Sequence, residues 1–127
     1  MKLLLDTQVL IWCDSEPHKL SAVANAAIRD PANEVWFSAA SIWELAIKSR
    51  LGKLALTRPL ADLIRVQKTY RIEELPVNSG HCLQIEALPL IHKDPFDRIL
   101  IAQTIVESAV LVTADQIIRN YAIKTLW

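Results

Sequence analysis

Five short apolar runs recur along the chain and constrain its fold more than any other feature: "KLLL" (2–5), "EVWFS" (34–38), "RIEELPV" (71–77), "AVLVT" (109–113) and "IKTLW" (123–127). Runs of this length, rich in Leu and Val, suit strands buried on two sides. The segments between them carry helical spacing instead. Apolar residues fall three and four apart in Ser21 to Ile28 (Val23, Ala26, Ala27), Ser41 to Leu51 (Ile42, Leu45, Ala46), Pro59 to Tyr70 (Leu60, Leu63, Ile64) and Ser79 to Leu88 (Cys82, Leu83, Ala87). Asp94-Pro95 has the form of a helix N-cap followed by proline at the first helical position, and Ile99, Ala102, Ile105 and Val106 continue that helix's apolar stripe. Strands alternating with helices predict an α/β fold, with a mostly parallel central sheet of about five strands and helices on both faces.

With 127 residues, 52% of them apolar, the chain has material for one domain with a real core, spanning 1–127. No apolar run approaches the roughly 18 residues of a membrane span. The opening "MKLLLDTQVLIW" is interrupted by Asp6 and lacks a small-residue cleavage site. A soluble, cytoplasmic protein with no membrane partner is expected. Cys13 and Cys82 stand far apart with no CxxC pairing, which suits reduced core thiols rather than a disulfide framework or a zinc site.

Asp6 is the residue least explained by folding. It follows "LLL" at the end of the first strand-like run, where an ionised carboxylate is costly unless cations or donors compensate it. In an open α/β sheet, ligands bind beyond the carboxyl ends of the strands. Three more acids fall at that same edge: Glu44 in "SAASIWELAIK", Asp97 in "HKDPFDRILIAQ" and Asp115 in "LVTADQ". Each has a structural alternative. Glu44 has capping-box spacing from Ser41, Asp97 stands at the third helical position after Asp94, and Asp115 has the place of an N-cap for "QIIRNYA". Four carboxylates together, however, repel at short range unless cations neutralise them. Oxygen donors without histidine or cysteine favour Mg²⁺, with Mn²⁺ as the alternative. Metal-assisted attack of water on a phosphodiester is the chemistry such a cluster most often performs.

Other residues are less informative. The 14 basic and 14 acidic residues balance overall, but the window from Lys48 to Arg71 holds seven bases (Lys48, Arg50, Lys53, Arg58, Arg65, Lys68, Arg71) against Asp62 alone, so it carries +6 and the remainder −6. Such a stretch suits phosphate binding or a solvated helix and loop surface. His18, His81 and His92 are scattered, with surface or supporting roles expected. The tryptophans Trp12, Trp36, Trp43 and Trp127 suit packing more than base stacking. Arg98, beside Asp97, is open to a phosphate contact or to pairing with an acid. A haloacid-dehalogenase-type phosphatase would need a second aspartate where Gln8 stands. A receiver domain would need paired acids after the first strand, and none follows Leu5.

Taken in order, "LLLDTQVLIW", "SAASIWELAIKSRLGKL", "HKDPFDRILIAQ", "LVTADQ" and the terminal "LW" resemble the PIN-domain ribonucleases from end to end, and among them the VapC-like toxins of type II toxin–antitoxin pairs. The resemblance implies metal-binding acids at Asp6, Glu44, Asp97 and Asp115, with Thr113 as a hydroxyl for water or phosphate. It further implies a Mg²⁺- or Mn²⁺-dependent endoribonuclease leaving 5′-phosphate and 3′-hydroxyl ends, an RNA substrate and a cognate antitoxin, and apolar surface on the "VLIW" and "SIWELAI" segments would also suit a homodimer. The alternatives are a PIN-like binding module without catalysis and a housekeeping RNA-processing nuclease.

Overall fold

A computed structural model describes residues 1–127. Each apolar run contains a strand: β1 (Lys2–Leu5), β2 (Glu34–Ser38), β3 (Ile72–Leu75), β4 (Val110–Val112) and β5 (Thr125–Leu126). They form one sheet in the order β3-β2-β1-β4-β5, with every neighbouring pair parallel. Six α-helices connect them: α1 (Thr7–Ser15), α2 (Ala22–Arg29), α3 (Ala39–Arg50), α4 (Leu60–Thr69), α5 (Ser79–Gln84) and α6 (Pro95–Val106). No helix is long and apolar enough to cross a membrane.

Strand alternation divides the core. Leu4 and Leu111 point to one face, where Leu100, Ile101 and Ala102 of α6 cover them. Leu3, Leu5, Val35, Phe37, Ile72 and Val112 point to the other, packed by Val9 and Leu10 of α1, Ala24 of α2 and Leu63 of α4. Because both faces of β1 are buried, "LLL" is apolar at every position and shows no period of two. Helix α3 reaches both layers, through Ala40 on one side and Leu45 on the other.

Four local features depart from the expectations drawn above. Helix α1 begins immediately after Asp6, and its sequence concealed it: Ile11, Trp12 and Cys13 pack against the core alongside Val9 and Leu10, so little polar face remains to mark a helical period. Helix α3 is capped by Ser38, whose Oγ accepts from the Ala40 N–H at 3.0 Å. Ser41 therefore lies inside the helix, and its hydroxyl instead meets Thr7 Oγ1 at 2.8 Å, so the Ser41–Glu44 capping box does not form. The segment after Asp115 makes only a single 3₁₀ turn, Ile118–Asn120. Cys13 is half-buried, with burial pushing its thiol pKa up to about 11, but Cys82 is exposed rather than in the core; both are free thiols.

The two core layers give a direct check. Ile72→Val and Ile101→Val each remove one methylene from separate layers and should each cost about 0.5–1.5 kcal/mol. Urea denaturation of the double variant should give the sum of the two to within about 0.5 kcal/mol, because the sites share no partner.

Candidate active site

The sheet order reverses at β1: the chain passes outward through β2 to β3 on one side, then returns to β4 and β5 on the other. A crevice opens at such a reversal, beyond the carboxyl ends of the two strands that diverge there. Asp6 and Thr113 stand at its base. The Asp6 N–H extends the β1–β4 ladder by donating to the Val112 carbonyl at 3.0 Å, and the Asp6 carbonyl accepts from Leu10 N–H at 2.9 Å as the first bond of α1. Although Asp6 occupies the N-cap position of α1, its side chain caps nothing. Its Oδ2 accepts the buried Thr113 hydroxyl at 2.7 Å, and Thr113 Oγ1 accepts in turn from Asp115 N–H at 3.0 Å.

Glu44 and Asp97 arrive from helices α3 and α6, and Asp115 from the loop after β4. Glu44, in the second turn of α3, is buried; its Oε2 accepts from Lys48 Nζ at 2.6 Å, while its Oε1 is buried with no hydrogen-bond partner. Asp94 caps α6 by accepting from Phe96 N–H at 2.9 Å, as its sequence position implied. The Asp94 N–H donates to His92 Nδ1 at 3.1 Å, so Asp97 does not close a capping box with it and is free for other work. Asp115 Oδ1 accepts from Ile117 N–H at 2.8 Å, a turn-stabilising bond, while Oδ2 faces His92. Asp6, Glu44, Asp97 and Asp115 line one open cleft of about 520 Å³, together with Asp94, Lys48 and Lys53. Thr113 lies behind Asp6 and is fully buried, so it acts on the carboxylate rather than on anything in the cleft.

Crowding leaves an electrostatic mark. Burial, reinforced by the charges of Asp6 and Asp94, pushes the Asp97 carboxyl up to about 7, with His92 pulling the other way. Burial likewise raises Asp6, against the opposing hydrogen bonds from Thr113 and the Thr7 amide. On Lys48, the bond to Glu44 holds the ammonium above its ordinary pKa. Carboxylates held back from ionising, together with a buried carboxylate oxygen that has no donor, are what a hard divalent cation would satisfy. The residues present therefore fit Mg²⁺ or Mn²⁺, with Asp6, Glu44, Asp97 and Asp115 as the candidate oxygen donors.

Two residues beside the acids were not singled out by the sequence. His92 Nε2 lies 3.0 Å from Asp97 Oδ2 and 3.2 Å from Asp115 Oδ2, next to two of the acids that line the cleft, a place that fits the supporting role left open to the histidines. The only signal was its place two residues before a helix cap that leads to an acid. Lys48 was read as one base among seven, yet the i,i+4 spacing from Glu44 already paired them. Arg98 corrects an expectation: it neither contacts the cleft nor pairs with an acid, because one helical position turns it about 100° from Asp97. It is buried, donating to the carbonyls of Pro89 at 2.9 Å and Ile85 at 3.5 Å and to Tyr121 Oη at 3.3 Å. His81 is a core residue closing the Asn78 capping box. Trp12 packs on Trp127 with ring centroids 5.6 Å apart, whereas Trp43 is exposed beside Glu44, edge-on to Phe96 at 5.0 Å.

The sequence profile of the PIN domain matches residues 3–124. The chain belongs to the PIN-domain family. Ribonuclease VapC22 of Mycobacterium tuberculosis (strain ATCC 25618 / H37Rv) is 30% identical over 119 residues, which cover 93% of this chain and 90% of that protein. Two solved structures share the PIN-domain architecture. In the VapBC2 structure from Rickettsia felis, bound to a DNA fragment from their promoter, the matched chain superposes with a TM-score of 0.75 at 16% identity, over 98% of this chain and 97% of that one. In VapBC-1 from nontypeable Haemophilus influenzae the TM-score is 0.57 at 20% identity, covering 98% and 96%.

Asp97 links the PIN-domain cleft to stability. Its carboxyl is ordinary, near 3.8, in the unfolded chain and about 7 when folded. Between those values the folded chain holds a proton that the unfolded chain has released, so stability is fully present at low pH and lost as pH rises through about 7. In EDTA, Asp97→Asn should remove its share of that decline and raise the melting temperature at pH 8, as followed by calorimetry across pH 4–9. A pH profile identical to wild type would show that Asp97 is not a strained carboxylate.

Proposed function

We propose that this PIN-domain protein is a divalent-metal-dependent endoribonuclease and the toxin of a toxin–antitoxin pair, with Asp6, Glu44, Asp97 and Asp115 as its metal-binding acids. The observation that carries the reading is the convergence of those four carboxylates on one cleft, with Glu44 Oε1 buried and unpartnered among them. The family membership and the ribonuclease name of the Mycobacterium tuberculosis relative support the substrate class.

Mg²⁺ or Mn²⁺, when bound, supplies a water acidic enough to attack a phosphodiester and stabilises charge on the leaving oxygen. The chain's own groups prepare that site. Thr113, by donating to one Asp6 oxygen, holds the carboxylate in the cleft that Asp6 lines. Lys48 holds Glu44 in place, and with Lys53 it sets positive charge on the same cleft wall, where an RNA backbone is favoured. A cleft open to solvent suits single-stranded loops, whose backbone can be drawn in.

The partner reading rests on the architecture shared with VapBC toxin–antitoxin complexes. A cognate antitoxin would place a basic side chain among the four acids, which a cation stabilises for the same reason that a metal does. An apolar hollow of about 480 Å³ beside the site, walled by Trp43, Phe96 and Ile99, offers surface for the expected homodimer, in a cytoplasmic protein.

Purified protein should cut structured RNA only with Mg²⁺ or Mn²⁺ present, leaving 5′-phosphates, and Asp6→Asn should abolish cutting without loss of fold. Expression of the chain alone should slow growth, co-expression of the adjacent antitoxin gene should restore it, and Asp6→Asn should make the chain harmless. Mass spectrometry that found 2′,3′-cyclic phosphate ends would overturn the mechanism. Lys53→Glu should weaken RNA binding and reduce its logarithmic salt slope by about one, as expected for a lost phosphate contact.

A further inference from the structure

We propose that His92 is a positioning residue: its Nε2–H bridges the carboxylates of Asp97 and Asp115 and sets their separation, and so decides whether the fourth acid belongs to the site. The inference rests on the nuclease reading for its kinetic consequence, but not for its geometry. His92 Nε2 is 3.0 Å from Asp97 Oδ2 and 3.2 Å from Asp115 Oδ2. The three side chains form the tightest group of potential ligands in the chain, with one atom from each lying within 4.8 Å of the others.

The ring's other nitrogen decides which role is open to it. His92 Nδ1 accepts the Asp94 N–H at 3.1 Å, so its lone pair is used there and the ring proton sits on Nε2. A protonated Nε2 donates to carboxylates and has no lone pair left to offer a metal. His92 is thus an orienting donor, of the kind that holds metal-binding carboxylates from outside the coordination sphere.

Asp115 needs such a donor more than the other acids do. Asp6 is held by Thr113, Glu44 by Lys48, and Asp97 by its place in the first turn of α6. Asp115 lies in the irregular segment between β4 and the Ile118–Asn120 turn, and its local bonds, from its N–H, to its carbonyl from Arg119 N–H at 3.4 Å and to Oδ1, leave Oδ2 free. Oδ2 would otherwise stand close to the Asp97 carboxylate with nothing to offset their repulsion. The bridge converts that repulsion into two hydrogen bonds from one nitrogen.

His92 is itself anchored from the protein interior. Its backbone N–H donates to Tyr121 Oη at 2.7 Å, and Arg98 Nη1 donates to the same phenol at 3.3 Å while clasping the Pro89 carbonyl. This explains a buried guanidinium with no carboxylate partner. Arg98 and Tyr121 hold the segment before α6 so that the imidazole reaches one acid on α6 and another in the loop after β4.

Three variants test the role. His92→Gln keeps an amide N–H near the Nε2 position, His92→Phe keeps the ring's shape without a donor, and His92→Ala removes both. Hydrogen exchange of the amides of residues 114–117 in metal-free protein, Mn²⁺ affinity by calorimetry, and steady-state cleavage of a hairpin RNA are measured for each. His92→Phe and His92→Ala should speed exchange in that segment, weaken Mn²⁺ binding about 10–100-fold, and lower kcat with KM nearly unchanged. His92→Gln should return all three to within a few-fold of wild type. Wild-type exchange and Mn²⁺ affinity in both donor-less variants would overturn the proposal. So would ¹⁴N hyperfine coupling from the imidazole to bound Mn²⁺, which would make His92 a ligand. If the wild-type protein cuts no RNA while exchange and Mn²⁺ affinity respond as stated, the ribonuclease reading falls and the positioning role stands.

Discussion

The hydrogen bond from Thr113 to Asp6 joins the carboxyl ends of the two central strands, 107 positions apart in sequence, and the site is organised around it. Both partners are buried, so the charge on Asp6 has little water to stabilise it and relies on what the protein supplies. What it supplies is short of full compensation: one hydroxyl, one backbone amide, and the nearby charges of Asp115 and Glu44, which act against ionisation. An apolar residue at position 6 would serve the sheet better. The acid makes sense where a cation completes the arrangement.

From this follows a division of labour among the surrounding groups. Each acid has one oxygen committed or a backbone element that fixes it: Thr113 for Asp6, Lys48 for Glu44, the α6 turn for Asp97, the Ile117 amide for Asp115. All four side chains line the same cleft. Burial and the charges of Asp6 and Asp94 raise the Asp97 carboxyl, a cost to the ionised form that protonation removes at low pH and that a bound cation would offset. On the proposed reading, a divalent metal and a basic side chain of an antitoxin would draw on the same electrostatic strain.

Much of this was present in the primary structure. Asp6 betrayed itself because an acid directly after "LLL" breaks the logic of a two-sided strand, and all five strands follow from short apolar runs that cannot be anything longer. The Asp94-Pro95 cap was equally plain, since the cap bond and the proline are local. Helix α1 was hidden by burial on nearly all sides, and the start of α3 was misplaced because Ser38 and Ser41 are both chemically able to cap. Only the tertiary fold assigns one to the helix end and the other to a contact with Thr7.

The sequence alone determined the alternation of elements, hence the parallel sheet, and the positions of four acids at strand and helix ends, because period and cap chemistry are properties of neighbouring residues. Tertiary structure decided what depends on distance through space. It turned Arg98 inward onto Tyr121 and brought His92 between Asp97 and Asp115. No periodicity encodes those choices, since each rests on side chains meeting across elements that pack independently of one another in sequence.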